Sequence, residues 1–166
     1  MSSHRSATLI LFISVATLAC RTVPLPEPYV IDVPSKMTGH QAEVAVIAGI
    51  LNTPPPADYD PTEELSPEEF DAMIWRGFAG RAHRRSWFPE SREGNVILAA
   101  VNTRGLYLRA SIEIKDREIV ISIVESKNLS QSETRIHKRA IKWLRNLEAH
   151  IRREIGRMSL LTERSS

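Results

Sequence analysis

Within a few residues after Glu118 the hydrophobic period of the chain switches from that of a strand to that of a helix. Glu118-Ile-Val-Ile-Ser-Ile-Val-Glu125 is β-branched and apolar, residues 126–132 carry turn chemistry, and residues 133–155 repeat at helical spacing. In that last stretch Ile136, Ala140, Trp143, Leu144, Leu147, Ile151 and Ile155 fall at i, i+3, i+4 and i+7, which makes one dry stripe. Lys138, Arg139, Lys142, Arg145, Arg152 and Arg153 occupy the remaining face. Gly156 is placed to end the helix, and residues 157–166 read as a frayed tail. As the largest member of the stripe, Trp143 is expected to be buried, so that Trp143→Ala ranks among the most damaging single changes.

Upstream, Asn95 to Asn102 is apolar on both faces, whereas Leu106, Leu108, Ala110, Ile112 and Ile114 alternate with polar residues. Gly94, Thr103-Arg-Gly105 and Asp116-Arg117 punctuate these runs and predict short connections, although Asp-Arg suits a primed hairpin turn poorly. Before the strands, Ser66-Pro-Glu-Glu69 opens a helix predicted over residues 67–85, with Phe70, Ile74, Phe78 and Ala82 on its apolar face. A sheet with one solvated face needs its other face covered, and the two amphipathic helices are the candidates. The expected fold is therefore α+β: a three-stranded antiparallel meander packed against two helices, in the order α-β-β-β-α. An additional short element spans about residues 39–51. Thr38 and Gln41 have capping-box spacing for a helix there, yet Val44, Val46, Ile47, Ile50 and Leu51 surround the helix axis, so a strand is the alternative.

The first residues add an address. Residues 1–19 have a short basic start with Arg5, an apolar run over residues 7–18 and a small residue before Cys20, as in an export leader. A dozen apolar residues fall short of the roughly 20 that span a bilayer, which favours cleavage over retention. Thr17-Leu-Ala-Cys20 resembles the lipobox at which bacterial lipoproteins are cleaved and acylated on cysteine, with Thr17 in the place of the usual Leu. Cleavage by the ordinary signal peptidase near Ala19, or retention as an anchor, are the alternatives. Residues 20–37, with Pro24, Pro26, Pro28 and Pro34, read as an extended tether. Residues 38–65 hold the short element and an acidic Pro-rich loop, residues 66–156 the α+β domain, and residues 157–166 the tail. Cys20 is the only cysteine, which excludes an internal disulfide.

Arg85-Ser-Trp87, Gly94-Asn-Val-Ile97, Arg104-Gly105, Ser126-Lys-Asn-Leu129, Ile136-His137, Trp143 and Asn146-Leu147 resemble the pattern of a family of small bacterial lipoproteins of unassigned function. That family has Arg-Gly-Trp after a helix, Gly before the first strand, Ser-x-Asn-Leu after the last strand, then Ile-His and Tyr-Asn-x-Trp in the closing helix. The resemblance covers residues 70–155 and implies an exported, membrane-anchored protein facing the periplasm or cell envelope. It brings no activity, cofactor or catalytic residue. The chain departs from the pattern at Ser86, Ile123 and Ala140-Ile141, which removes half of any shared aromatic and amide site.

Chemistry is sparse. Ser126 and His137 are the only pair suggesting a nucleophile and its base, as in a periplasmic hydrolase, but no Gly-rich nucleophile turn surrounds Ser126. Local roles suit both: Ser126 and Asn128 bonding the turn backbone, Ser130 or Ser132 capping the helix, and His137 packing at its first turn. Trp87, Ser126, Asn128, His137 and Trp143 are accordingly candidate binding or motif residues, and no catalytic residue is assigned. His4, His40, His83, His137 and His150 form no ligand spacing, so neither a metal nor another cofactor is expected. Eight Lys or Arg face three Glu between Glu133 and Arg157, while residues 58–71 hold seven acids and no base. The basic helix face is either a solvated surface or, through Arg139, Lys142 and Arg153, a contact for anionic lipid or envelope polymer. Partners expected from this reading are the membrane, through an acylated Cys20, and an envelope protein or polymer. Nucleic acid is not among them, and the chain is expected to be monomeric and non-enzymatic.

Overall fold

The computed structural model describes residues 22–55, 66, 68, 71, 72 and 86–164. The leader, Cys20 and nearly all of the helix predicted over residues 67–85 lie outside the described residues; Glu68, Asp71 and Ala72 within it are helical. In chain order the elements are β1 (Thr22–Pro24), β2 (Tyr29–Asp32), α1 (Gly39–Leu51), β3 (Phe88–Glu93), β4 (Val96–Thr103), β5 (Leu106–Ile114), β6 (Glu118–Lys127), β7 (Arg135–His137) and α2 (Lys138–Arg164).

The fold is α+β, but the three-stranded meander is too small a description. β4, β5 and β6 are the centre of a five-stranded antiparallel sheet ordered β2-β6-β5-β4-β3, and β1 pairs with β7 in a separate two-stranded ribbon. The added strands come from segments whose composition hides them. β2 follows three prolines in the segment expected to be a tether, and its pairing of Val30 with Val120 joins residues far apart in the chain. β3 is the polar run Phe-Pro-Glu-Ser-Arg-Glu at the sheet edge, where Pro89 needs no partner for a missing N–H. Residues 20–37 are thus no free tether from Thr22 onward: Ile31, Val33 and Met37 are buried in the core.

Hairpin geometry follows the turn residues. Thr103 pairs with Leu106, and Arg104 and Gly105 both have positive φ, 54° and 76°, the type I′ requirement. Gly94, with φ 57°, makes the β3–β4 turn. Asp116 and Arg117 close β5–β6 without a positive φ, as expected of residues ill suited to a primed turn.

One face of the sheet is dry. Ile31, Ile97, Ala99, Val101, Leu108, Ala110, Ile112, Ile119 and Ile121 join α1 and α2 residues in a single cluster. α1 carries the capping box, with Thr38 Oγ1 accepting from Gln41 N at 3.2 Å and Gln41 Oε1 accepting from Thr38 N at 3.0 Å. Ten successive-turn residues, Gln41, Ala42 and Val44 to Leu51, are buried, so this helix is covered all round. Asn52 ends it in the left-handed conformation, φ 50°.

Three expectations for the closing helix are corrected. It begins at Lys138, because Arg135 to His137 are spent on pairing with β1. It runs through Gly156 to Arg164 rather than ending there, since Met158, at 1% exposure, and the partly buried Leu161 continue the dry stripe. Trp143 is only partly buried, while Ala140, Leu144, Leu147 and Ile151 are enclosed. No helix among the described residues is long and apolar enough to cross a membrane.

Candidate functional site

The two tryptophans of the sequence pattern meet through one hydrogen bond. Trp87, 7% exposed, donates from Nε1 to the backbone carbonyl of Trp143 at 3.2 Å, tying the start of the β3 segment to the N-terminal half of α2. A buried indole needs such an acceptor, and a mid-helix carbonyl supplies it as a second, shared bond.

Ser126, Asn128 and His137 cluster at one end of the sheet without forming a reactive pair. Ser126 lies opposite Leu108 in the β5–β6 ladder, and its hydroxyl donates to Gln131 Oε1. A hydroxyl engaged with an amide oxygen has no base to take its proton. Asn128 adopts φ 60°, and its side-chain amide donates to Gly105 O at 2.8 Å, which fastens the β6–β7 link to the β4–β5 turn. His137 caps α2: Nδ1 accepts from Arg139 N at 3.1 Å, and its backbone N–H donates to Leu129 O at 3.0 Å.

Two hollows bear on function. The larger, about 590 Å³, lies at the β3–β4 and β5–β6 turns and is lined by Met37, Gly39, Glu43, Asn95, Lys115 and Arg117 among others. Glu43, Lys115 and Arg117 are each engaged within the fold. Glu43 is clasped by Arg92, with Nη2 to Oε2 at 2.9 Å, and Lys115 meets Glu113 at 3.7 Å and Glu118 at 3.3 Å. Burial, partly offset by Arg92, raises the Glu43 carboxyl above the ordinary range. Arg117 donates to Pro34 O at 3.4 Å.

The second hollow, about 540 Å³, lies at the other end, bounded by Thr22, Leu106, Asn128, Ser130, His137, Lys138 and Arg139. Here the hydroxyl and amide groups are accompanied by two exposed cations. Lys138, Arg139 and Lys142 form no ion pair among the described residues. Arg153, grouped with Arg139 and Lys142 by sequence, belongs elsewhere: it meets Glu154 Oε1 at 2.9 Å and donates to Asn52 Oδ1 at 2.8 Å. Glu154, 2% exposed, also takes Arg157 at 3.2 Å, and Arg152 takes Glu148 at 2.9 Å. The cationic face of α2 therefore divides into a C-terminal half that braces the fold and an N-terminal half that does not.

Sequence reading missed a charged network on the solvated sheet face. Tyr107 donates to Glu90 at 3.0 Å, Arg109 reaches Glu90 at 2.6 Å and Glu125 at 3.2 Å, and Lys127 meets Glu125 at 3.0 Å while standing 5.3 Å from the Tyr107 ring centre. Burial first, then the bond to Glu90, raises the Tyr107 phenol above its ordinary range. Glu90 is at the β3 bulge, which turns its side chain toward β5, and the register of a bulge is not legible from alternation alone. Each charge is matched by its neighbours, so the network fastens strands and presents little net field.

Compared with protein-family models, with curated proteins and with solved structures, the chain finds no match.

Proposed function

We propose that this chain is an exported, lipid-anchored cell-envelope protein whose α+β head works by binding an envelope component. The observation that carries the reading is the placement of Cys20, the only cysteine, directly after a leader-like apolar run and two positions before the first strand of the head. The sequence resemblance to small bacterial lipoproteins supports the same address. A binding role accords with the engagement of Ser126 by Gln131 and of His137 by the α2 backbone. The head presents a binding surface and is joined to the membrane through Cys20.

Mass spectrometry of the native protein tests the anchor. The expected mature chain lacks residues 1–19 and carries acyl mass on Cys20, and Cys20→Ser is expected to shift the protein from the membrane to the soluble envelope fraction. Native protein with Met1 retained and Cys20 unmodified would overturn the reading.

A further inference from the structure

We infer that the end of the head where β1 begins is a membrane-apposed surface that binds the anionic headgroups of a phospholipid bilayer. The inference deepens the proposal above and takes its orientation from an anchored Cys20.

Distance comes first. Thr22 is not at the end of a loose tether: it pairs with His137, and Arg135 donates to Thr22 Oγ1 at 3.2 Å and to Thr22 O at 2.8 Å. Two residues of extended chain reach at most about 7 Å, so an acylated Cys20 keeps this ribbon no farther than that from the interface. The Debye length in physiological salt is about 8 Å, so charges at this end act on the bilayer before salt screens them.

Charge comes second. Lys138, Arg139, Lys142 and Arg145 are exposed along the first turns of α2, and Arg104 is exposed on the β4–β5 turn that Asn128 fastens to the same end. The first turn of α2 contains no acid. Cations at a helix N-terminus oppose the helix dipole, so this cluster does not serve the stability of α2. The contrast within one helix is direct, because Arg152, Arg153 and Arg157 each have a carboxylate partner.

Shape comes third. Between the cations and β1 lies the hollow of about 540 Å³, edged by Thr22 and Ser130, whose hydroxyl groups can donate to a phosphodiester. A flat basic patch would attract a charged surface; a hollow beside it also admits a headgroup.

The test uses the full chain carrying Cys20→Ser, so that no acyl group contributes, mixed with sedimentable vesicles. One set is phosphatidylcholine and the other phosphatidylcholine with phosphatidylglycerol. The expected result is tighter partitioning onto the anionic set, weakened by added salt. Lys138→Glu/Arg139→Glu/Lys142→Glu is expected to lower that partitioning by roughly 100-fold or more, at about a fivefold effect per basic residue. Lys115→Glu/Arg117→Glu, at the opposite end of the sheet, serves as the control and should partition as the parent does. The leader is common to all these proteins and cancels in the comparison. Glutamates are favourable in a first helical turn, so an unchanged helical circular dichroism signal is expected for the triple variant. Equal partitioning of the triple variant and parent, indifference to lipid charge, or retention of inorganic phosphate without anionic vesicle binding would each overturn the inference. Failure of the anchor itself is read separately, in the mass of the native N-terminus.

Discussion

The two helices solve one problem by opposite means. α1 is apolar all round and enclosed, with Glu43 as its single carboxylate, and it stabilises the fold through contact on every side. α2 is twice as long, 27 residues against 13, and presents one dry stripe to the core and a charged face outward. The difference teaches where change is tolerated. Ten of the thirteen positions of α1 are buried and answer to packing, whereas the outward face of α2 is open to selection for something other than stability. The cleanest break of this comparison is therefore in the dry stripe of α2, where the two helices depend on each other. Leu147, at 0% exposure, is enclosed, so Leu147→Ala is expected to cost about 2–5 kcal/mol in urea unfolding. It should exceed Trp143→Ala, because the partly buried indole leaves a gap that water can enter. The reverse order would show that Trp143 rather than the aliphatic stripe holds α2 down.

Glycine sharpens the comparison, since each helix contains one in its interior. A Cβ on Gly49 of α1 would meet Ile151 Cα and Cγ1 at 2.7 Å and Ile151 N at 2.9 Å. Two of those atoms are backbone, so the helices would have to separate. Around Gly156 of α2 no atom of the described residues lies within 4 Å of such a Cβ. Alanine improves helix propensity by about 1 kcal/mol at either position. Overpacking costs about 1–3 kcal/mol. Gly49→Ala is expected to destabilise on balance, and Gly156→Ala to stabilise by up to about 1 kcal/mol. Thermal melts of the pair read opposite signs; shifts of the same sign would mean that the close approach at Gly49 relaxes freely.

The contrast also explains what could be read in advance. α2 announced itself because a stripe at i, i+3, i+4 and i+7 excludes the strand period. α1 did not, because Val44, Val46, Ile47, Ile50 and Leu51 satisfy either period when every side is buried; only the Thr38 and Gln41 pair spoke for the helix. β1 and β7 were invisible for a different reason. Three residues cannot show a period, and the bonds from Arg135 to Thr22 join positions 113 apart. The candidate site suffered in the same way. Asn128, His137 and Arg139 were legible as residues, but Thr22 and Leu106 join them only through long-range pairing, and the separation of Arg153 from Arg139 and Lys142 depends on the partners Asn52 and Glu154.

A smaller effect is expected where α1 starts. Thr38 and Gln41 satisfy two N–H groups reciprocally, so Thr38→Ala should cost about 1 kcal/mol and Thr38→Ser nearly nothing. α2 has an imidazole in the corresponding role, Nδ1 of His137 accepting from Arg139 N. His137→Asn, which keeps a side-chain acceptor, should retain more of the urea midpoint than His137→Ala. Equal losses from both would mean that His137 acts through packing.

The smallest expected effect, and the one that isolates the carboxylate of α1, is a dependence on pH. Burial raises the Glu43 carboxyl above the ordinary range, and the Arg92 guanidinium offsets part of that rise. A carboxyl that titrates higher in the folded protein than in the unfolded chain binds more protons when folded, between those two pKa values. Stability through this group therefore falls as pH rises across that window, which opens at the ordinary carboxylate value and closes at the raised one. Glu43→Gln removes the titration while keeping the shape of the side chain. Urea midpoints of parent and variant, measured across the acidic range, should diverge in favour of the variant as pH rises through the window and keep a constant separation above it. A separation that is flat throughout would mean that the clasp with Arg92 cancels the effect of burial, and one that grows as pH falls would mean that the clasp outweighs it.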